Sequence, residues 1–491
     1  MNLIRKDKQY LWHPFTQMQD WLKGDVLIIE RGRGNYLYDA RGRKYLDGIS
    51  SLWCNIHGHR KNEIDRAIKK QLQRVAHSTM LGLSHPPAIE LAEQLIKIAP
   101  RGLTRVFYSD DGSTAMEIAL KMALQYWRQT DDRLLITDNR LSTSGYKEKF
   151  LTFTNAYHGD TVGSVSLGGI QLFHDIYKPL LFRTIQVPAP YCYRCPYDYK
   201  IKSVKFLKEV HPQFWVDRRA KARAFAHPHL LKEICGLVCL EQIERVMKKR
   251  HQELAAVVIE PLIQGAAGMI NQPSGFLKRI RQLCSKYNIL MIADEVATGF
   301  GRTGKMFACS HKKVTPDIMA LAKGITGGYL PLAATLATEK IFNAFLGTSE
   351  SKKTFFHGHT YTGNPLACAA ALANLKIFKK EKVLQKLQVK IEFLKHHLQK
   401  FYELEHVGDI RQCGFMVGIE LVKNKTTKEP YPYKIGLGHR VILEARKRGV
   451  ILRPLGDVIV LMPPLSITES QLQRLLKVTY QAIWTVTKIL K

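Results

Sequence analysis

The stretch Ile289-Leu-Met-Ile-Ala-Asp-Glu-Val296 is an unbroken apolar run followed by two acids. Such a run is typical of a strand buried on both faces, as in a parallel sheet that helices cover on both sides. The run predicts a strand at residues 289–293, and similar runs predict strands at 105–109, 150–153, 255–259 and 332–337. Amphipathic stretches predict helices at 114–129, 275–287 and 365–378. The alternation indicates an α/β fold with a mostly parallel central sheet.

The length of the chain indicates more than one domain. Its 491 residues are 45% hydrophobic, so the chain is too long and too apolar for a disordered tail. Short strand signals near the start and mixed signals after residue 379 flank the α/β region. We predict a large domain at 76–378, with inserts near 131–149 and 191–250. A smaller α+β lobe is predicted from residues 1–75 and 379–491.

Charge and cysteine content restrict the functional classes. The 74 Lys and Arg against 42 Asp and Glu give a net charge of +32, but the basic residues are scattered and form no nucleic-acid-binding motif. We interpret the charge as a solvated surface and do not expect nucleic acid as a partner. No apolar run is long enough to span a membrane, and residues 1–20 lack the apolar core of a signal peptide. Nine cysteines in 491 residues are too few for a secreted protein held together by disulfides, so we predict a cytoplasmic protein.

Asp294 and Lys323 are candidates for binding pyridoxal 5′-phosphate. Asp294 stands at the carboxyl end of a predicted strand, the edge at which open α/β sheets bind ligands. Lys323 follows later, ahead of Gly327 and Gly328. A carboxylate can keep the pyridine nitrogen of this cofactor protonated, while a lysine forms a Schiff base with its aldehyde. Taken singly, an acid after a strand is more often a helix cap, and a lysine is usually solvated.

A phosphate site is predicted where the strand at 105–109 turns into the helix at 114–129. Gly112 allows the backbone to approach closely, and the amino end of a helix offers free N–H groups and a partial positive charge. Ser113 adds a hydroxyl, although a serine in this place is more often a helix N-cap. The charge of Asp111 would repel a phosphate, so its side chain is expected to point away.

Two further segments offer an aromatic ring and a hydroxyl. Tyr157 follows the strand at 150–153 and could stack on a flat cofactor ring, with Gly159 leaving room for that ring. A lone aromatic residue is more often part of a core. Thr360 lies in the polar loop Phe356-His-Gly-His-Thr-Tyr-Thr-Gly-Asn-Pro365, where its hydroxyl could bind an anion or serve in ordinary capping.

In order and spacing, these segments resemble the class III branch of the fold-type I pyridoxal-phosphate aminotransferases. The branch-level matches are Ala293-Asp-Glu-Val-Ala-Thr-Gly-Phe-Gly-Arg-Thr-Gly304, the Lys323 segment and Gly363-Asn-Pro-Leu-Ala-Cys-Ala-Ala370. Residues 11–18, 47–53, 121–127, 453–456 and 461–464 resemble the members of this family that aminate 8-amino-7-oxononanoate in biotin synthesis. The resemblance covers nearly the whole chain.

The resemblance implies a role for each candidate residue. Lys323 would form the Schiff base and move a proton between the substrate carbon and the cofactor. Asp294 would pair with the pyridinium nitrogen, and Tyr157 would stack on the ring. The phosphate would be held by Gly112, Ser113 and Thr360, with Thr360 reaching across from the second subunit of a homodimer. The substrate would contact Trp53 as a cleft wall, Arg453 as the partner of a distal carboxylate, and also Phe15, Tyr157, Lys323 and Gly358.

The resemblance also implies a ping-pong transamination of 8-amino-7-oxononanoate with adenosylmethionine as donor. Phe15, Leu52 and His359 depart from the pattern of adenosylmethionine-using members, which often have Tyr, Trp and Pro there, so lysine is an alternative donor. A second alternative is a class III aminotransferase acting on an ω-amino acid or a diamine. A third is a basic protein that keeps the fold and binds a partner without catalysis.

The cysteines raise a separate hypothesis. Cys192 and Cys195 form one close pair, and Cys235 and Cys239 form another about forty residues later. Two such pairs could make a four-thiolate zinc site in a reducing compartment. The second spacing is looser than in a zinc ribbon, and Cys239 lies in an apolar run where a buried thiol is common. The main prediction is therefore that the protein binds no metal.

Overall fold

A computed structural model of the chain describes residues 3–130, 147–195 and 237–489. Its strands, in chain order, are β1 (Ile29–Arg33), β2 (Tyr36–Asp39), β3 (Lys44–Asp47), β4 (Leu103–Ser109), β5 (Lys149–Phe153), β6 (Ile185–Val187), β7 (Leu254–Ile259), β8 (Ile263–Gln264), β9 (Ile270–Asn271), β10 (Leu290–Asp294), β11 (Ile318–Leu321), β12 (Ala333–Thr338), β13 (Val407–Cys413), β14 (Met416–Leu421), β15 (Val450–Ile451), β16 (Arg453–Leu455) and β17 (Val458–Leu461).

The described helices, in chain order, are α1 (Leu3–Tyr10), α2 (Met18–Lys23), α3 (Ser50–Trp53), α4 (Asn62–Leu72), α5 (Pro86–Ile98), α6 (Gly112–Thr130), α7 (Val162–Leu167), α8 (Gln171–His174), α9 (Val238–Arg250), α10 (Phe276–Lys286), α11 (Glu339–Asn343), α12 (Pro365–Lys380), α13 (Val383–Leu398), α14 (Leu437–Lys447) and α15 (Glu469–Ile489). Within the described ranges, none of these helices is both long and apolar enough to cross a membrane.

The central sheet has seven strands in the order β4-β12-β11-β10-β7-β5-β6. Strand β12 runs antiparallel to both of its neighbours, and every other adjacent pair is parallel. The predicted mostly parallel sheet is therefore confirmed. The five predicted strands and three predicted helices each agree with the structure to within two residues at either end.

The central strands are buried on both faces of the sheet, which explains their continuous apolar sequences. On β7, Val257 and Ile259 belong to one core cluster, while Ala256 and Val258 belong to a second. Side chains at successive strand positions point to opposite faces, so the two clusters lie on the two faces of the sheet. Helix α10 contributes to the first cluster and α6 to the second. Because both faces are covered, no polar alternation remains in the sequence.

Both ends of the chain contribute to the smaller sheets. Strand β3 pairs in parallel with β15, so that Leu46 lies opposite Val450. A separate antiparallel sheet has the order β13-β14-β17-β16. The domain limits at residues 75 and 378 stay a prediction, and α12 runs across the second of them.

The two predicted inserts fall largely outside the described residues, at 131–146 and 196–236. Strand β5 already begins at Lys149. Helix α9 packs Leu240, Ile243 and Met247 into the main core. Residues 238–250 of the predicted second insert thus pack against the main core, and the limits of both inserts stay a prediction.

Candidate functional site

A cavity of about 480 Å³ lies at the carboxyl ends of β4, β5, β7, β10 and β11. Both Asp294 and Lys323 line it, together with Tyr157, Gly112 and Ser113. The common edge explains the convergence, because each of these residues stands at or just after the end of a parallel strand or at the start of the following helix. With Trp53, which also lines the cavity, six of the predicted residues thus meet there.

The carboxylate of Asp294 is held on both oxygens. The N–H of Val296 donates to Oδ1 at 3.0 Å, and Nδ1 of His158 lies 2.7 Å from Oδ2. His158 is fully buried. Burial lowers the pKa of His158, but its hydrogen bond to Asp294 and the charge of that carboxylate outweigh the burial, so the net pKa is raised. Asp294 is therefore fixed in place and paired with an imidazole that favours its protonated form.

Lys323 begins a short 3-10 turn that one residue separates from the end of β11, with φ of 43°. A positive φ in a non-glycine residue is a strained conformation, which is commonly found at functional sites. Its Nζ lies 5.0 Å from the ring centroid of Trp53. Burial lowers the pKa of Lys323, and the charges of Asp294 and Glu260 oppose this only in part. A lowered pKa increases the fraction of neutral, nucleophilic amine.

The start of helix α6 has free backbone donors, since the first N–H groups of a helix have no intrahelical partner. Asp111 supplies the cap, because its Oδ1 accepts from the N–H of Thr114 at 3.0 Å. The alternative that Ser113 is the N-cap is thus wrong. Oγ of Ser113 instead accepts from the N–H of Asp160 at 3.2 Å. Gly112 and Ser113 remain at the cavity wall, where an anion could reach them.

Two glycines are required by close packing at this wall. A Cβ on Gly112 would lie 2.7 Å from Cγ1 of Val296, and a Cβ on Gly159 would lie 2.1 Å from Oγ of Ser113. Gly159 also has φ of +124°. The expectation that Gly159 makes room for a ring needs correction, since the space it leaves is filled by Ser113.

Tyr157 is fixed at its phenol and at its backbone. Its OH donates to Oδ2 of Asp160 at 2.7 Å, and its N–H donates to Oε1 of Glu260 at 3.2 Å. Its ring meets that of Phe173 edge-on, with centroids 6.4 Å apart. Burial, followed by the hydrogen bond to Asp160, raises the pKa of Tyr157. Tyr157 is therefore a neutral aromatic side chain in the cavity wall.

Glu260 lines the cavity and was not singled out from the sequence. It follows β7 directly, and its second oxygen accepts from the N–H of Gly265 at 2.8 Å. Burial raises the pKa of Glu260 to about 7, and the charge of Asp294 adds to the effect. The sequence does carry the signal, because an acid directly after an apolar strand is the argument that identified Asp294.

Trp53 is positioned by an unusual turn and a buried arginine. Residues 50–53 all have positive φ, between 41° and 72°. Arg302 is buried and donates from Nη2 to Oγ of Ser50 at 2.8 Å and to the carbonyl oxygens of Trp53 and Asn55 at 3.3 and 3.0 Å. Since left-handed residues are costly, these bonds hold the turn. Nε1 of Trp53 is buried and has no hydrogen-bond partner among the described residues.

Four predicted residues do not line this cavity. Arg453 is half-buried on β16; burial lowers its pKa, and the neighbouring Tyr157 opposes this. Phe15 is 57% exposed and packs against Phe173, with centroids 5.4 Å apart. Gly358 and Thr360 are exposed in the loop before α12. A single chain therefore does not bring Gly358 or Thr360 to its own cavity.

The comparisons with known proteins agree with this geometry. The model of the aminotransferase class-III family matches residues 21–483. The chain belongs to the class-III aminotransferase family. The adenosylmethionine-8-amino-7-oxononanoate aminotransferase of Nitratidesulfovibrio vulgaris is 54% identical over 482 residues, which are 98% of this chain and 81% of that protein.

Solved structures of the same family extend the comparison. The crystal structure of adenosylmethionine-8-amino-7-oxononanoate aminotransferase from Methanocaldococcus jannaschii has a TM-score of 0.86 at 45% identity, covering 98% of each chain. A thermostable ω-transaminase mutant from Pseudomonas jessenii has a TM-score of 0.85 at 30% identity, covering 100% of this chain and 99% of that one. The predicted fold-type I architecture is confirmed.

Membership settles the class of chemistry. Class-III aminotransferases depend on pyridoxal 5′-phosphate, so the predicted cofactor and the predicted enzyme class are confirmed. The cavity of this class-III aminotransferase fits the cofactor, because it brings an amine, a fixed carboxylate and a helix amino end together. The alternative of a non-catalytic basic protein on the same fold is accordingly wrong.

The cysteines of this aminotransferase leave the zinc hypothesis untested, because Cys235 lies outside the described residues. Cys192 and Cys195 are half-buried, and Cys239 is buried in the core. In the described parts of the chain, no three His, Cys, Asp or Glu side chains gather as a metal site would require.

Proposed function

We propose that this aminotransferase transfers an amino group to 8-amino-7-oxononanoate, giving 7,8-diaminononanoate for biotin synthesis, with adenosylmethionine as donor. The observation that carries the proposal is the 54% identity over 98% of the chain to a relative named for that reaction. The ω-transaminase structure of similar TM-score is only 30% identical. The alternative of an ω-amino acid or diamine substrate is correspondingly less well supported.

Lys323 and Asp294 would hold the reactive part of the cofactor. When bound, pyridoxal 5′-phosphate withdraws electrons from the carbon that carries the amino group and so makes the proton on that carbon acidic. Lys323 would attach the cofactor and then act through its free Nζ as the base that removes and returns this proton. Its lowered pKa supports the role, because an ammonium could not accept a proton.

Asp294 would face the ring nitrogen with its negative charge. The hydrogen bonds from His158 and Val296 orient the carboxylate and support this role. Tyr157 would stack on the ring, and its backbone is fixed by Glu260.

The phosphate would bind at the amino end of α6, through the N–H groups of Gly112 and Ser113 and the hydroxyl of Ser113. Thr360 would complete this site from a second subunit. Its exposed position, away from the cavity of its own chain, supports a homodimer with shared active sites. Exposed Phe356 and Tyr361, at 80% and 58%, flank it and would be covered in such a dimer.

Substrate would enter past Trp53 and reach Arg453 with its distal carboxylate. A guanidinium binds a carboxylate bidentately, and partial burial strengthens such a pair. Phe15 and Gly358 would contact the substrate from the mouth of the cavity. We also propose a cytoplasmic location, which the low cysteine content of nine in 491 residues supports.

A paired assay tests the reaction and its donor. Purified enzyme is incubated with 8-amino-7-oxononanoate and either adenosylmethionine or lysine, and 7,8-diaminononanoate is measured. Product with adenosylmethionine supports the proposal, and product with lysine alone assigns the other donor. Lys323→Ala should abolish turnover and the visible absorption of the attached cofactor. Full activity in that variant would contradict the assignment.

Hybrid dimers test the shared site. Lys323→Ala and Thr360→Ala chains, each impaired alone, are mixed and refolded together. If Thr360 acts across the interface, one site of each hybrid dimer has both wild-type residues, and activity returns to about half of the wild-type value per hybrid. Recovery absent from verified hybrids would show that Thr360 acts within its own chain or not at all.

A further inference from the structure

Arg411 on β13 is buried at 2% exposure, yet it does not line the cavity. Nε and Nη2 both donate to the carbonyl oxygen of Gly268, at 3.0 and 2.8 Å. Nη1 donates to Asp409 at 2.9 Å, to Glu420 at 2.5 Å and to the phenol oxygen of Tyr191 at 3.0 Å. The two acids and the tyrosine fix one side of the guanidinium, and its other side donates two hydrogen bonds to the backbone oxygen of Gly268.

That oxygen belongs to the turn at residues 265–269, which we call the wall turn. Ala266 of the wall turn lines the cavity. Gly268 and Met269 have φ of 105° and 59°, and both N–H groups donate to the oxygen of Gly265, at 3.2 and 3.0 Å. A positive φ at Met269 is unfavourable for a side-chain-bearing residue, so contacts from outside the turn are needed to maintain it.

The wall turn connects to the aromatic walls of the cavity. The N–H of Gly265 donates to Oε2 of Glu260 at 2.8 Å, and Oε1 of the same carboxylate accepts from the N–H of Tyr157 at 3.2 Å. Gly265 also lies against Trp53, since a Cβ placed on it would be 3.5 Å from Cζ3 of the indole ring. A shift of the wall turn would therefore move Glu260, Tyr157 and Trp53 together.

We propose that Arg411 is a positioning residue of the active site, which sets the wall turn through its two bonds to Gly268 and thereby aligns Tyr157 and Trp53. The inference rests on the proposed function, because it takes this cavity to be the active site. Two hydrogen bonds that converge from one guanidinium on the carbonyl oxygen of Gly268 restrict both its distance and its direction. A misplacement of about 1 Å in such walls can reduce a rate about 100-fold.

The test compares Arg411→Lys with Arg194→Lys. Lysine at 411 keeps a positive charge beside Asp409 and Glu420. A single ammonium group cannot reproduce the two hydrogen bonds that the planar guanidinium donates to the oxygen of Gly268. Arg194 is the matched control, because it donates to Glu420 from Nε and Nη2 at 2.9 and 2.6 Å within the same cluster. Its remaining bond goes to the oxygen of Lys428 and not to the wall turn.

Both holoenzymes are examined by steady-state kinetics, by visible circular dichroism of the bound cofactor and by thermal melting. We expect Arg411→Lys to lower kcat/KM about tenfold or more and to change the dichroic band. Arg194→Lys should leave both within about twofold, at a comparable melting temperature. Equal kinetics and equal dichroism in the two variants would overturn the proposal.

If Arg411→Lys fails to fold, Tyr191→Phe removes the bond from Nη1 to the phenol and the bond that the phenol donates to Glu420, while Asp409 and Glu420 are retained. A changed dichroic band supports the proposal in that variant, and an unchanged band with unchanged kcat/KM overturns it. The dichroic comparison requires only bound cofactor, so it tests Arg411 even when the amino acceptor is a different compound. Failure of the wild-type enzyme to use 8-amino-7-oxononanoate would instead refute the proposed function.

Discussion

Replacing Gly159 with alanine should weaken cofactor binding by disturbing the start of helix α6. The added Cβ would lie 2.1 Å from Oγ, 2.6 Å from Cβ and 2.8 Å from Cα of Ser113. Carbon atoms in contact are about 3.5 Å apart or more, so one of the two segments must move by roughly 1 Å. Rotating the serine does not relieve the contact, because its Cα is also too close.

The expected rise in the Kd of the cofactor follows from the hydrogen bonds that this movement would break. Oγ of Ser113 accepts from the N–H of Asp160, and the N–H groups beside it are the proposed phosphate donors. Losing one hydrogen bond to a charged group costs about 1.5–3 kcal/mol, which corresponds to a Kd for pyridoxal 5′-phosphate raised by about 10- to 100-fold. The φ of +124° adds a conformational cost of about 1–3 kcal/mol to the stability of the fold.

The assay titrates cofactor-free protein with pyridoxal 5′-phosphate and follows protein fluorescence, with thermal melting in parallel. Gly42→Ala is the control, because Gly42 has φ of +81° and no atom within 4 Å of a Cβ placed on it. It therefore reports the conformational cost without the steric contact. A Gly159→Ala protein that binds cofactor within about threefold of wild type would refute the reasoning.

Three further predictions concern buried groups around the cavity. Arg302→Met leaves the acceptors on Ser50 and Trp53 without their donor, so we expect calorimetry to show a free energy of unfolding that is lower by about 3 kcal/mol or more. We also expect a raised KM, and an unchanged Tm would contradict this prediction. His158→Leu should lower kcat about tenfold because the carboxylate of Asp294 loses its partner. His158→Asn should lower kcat less, since asparagine can still donate to that carboxylate, and equal rates in the two variants would contradict a role of His158 in orienting Asp294. The pKa of Glu260 is about 7 in the folded, cofactor-free protein and 4.5 in the unfolded chain. Between these two values the folded protein holds a proton that the unfolded chain has released, so the free energy of unfolding falls as the pH rises through that range. Melting of cofactor-free Glu260→Gln between about pH 5 and about pH 8 should show a smaller loss of Tm with pH than wild type, by a few degrees, and parallel curves would disprove the shifted titration.

Local sequence patterns were sufficient for the central strands. A run such as Ile289–Ala293 is apolar at every position because each face of the sheet is covered, and that property is visible without any long-range information. The place of Asp294 was predictable for the same reason, since the carboxyl end of a strand is evident from the run itself. The position of Glu260 after β7 carried the same signal and was missed.

The orientation of β12 was not predictable in this way. Its sequence, Ala333–Thr338, is as apolar as those of its parallel neighbours, and its antiparallel pairing with β4 and β11 depends on the path of the chain. The exposed position of Thr360 likewise has no local signal. In the proposed dimer its hydroxyl would reach the cavity of the second subunit, and the sequence around Thr360 carries no sign of such an arrangement.

The sequence by itself determined which residues could do the chemistry: a lysine, an acid at a strand end, a helix amino end and an aromatic ring. Only the tertiary structure decided which groups hold them in place, because those groups are distant in the chain. His158 and Asp294 are 136 residues apart, Arg302 and Ser50 are 252 apart, and Arg411 and Gly268 are 143 apart. Periodicity reports how a segment is buried, but a hydrogen bond between distant segments exists only once both have packed against the same sheet.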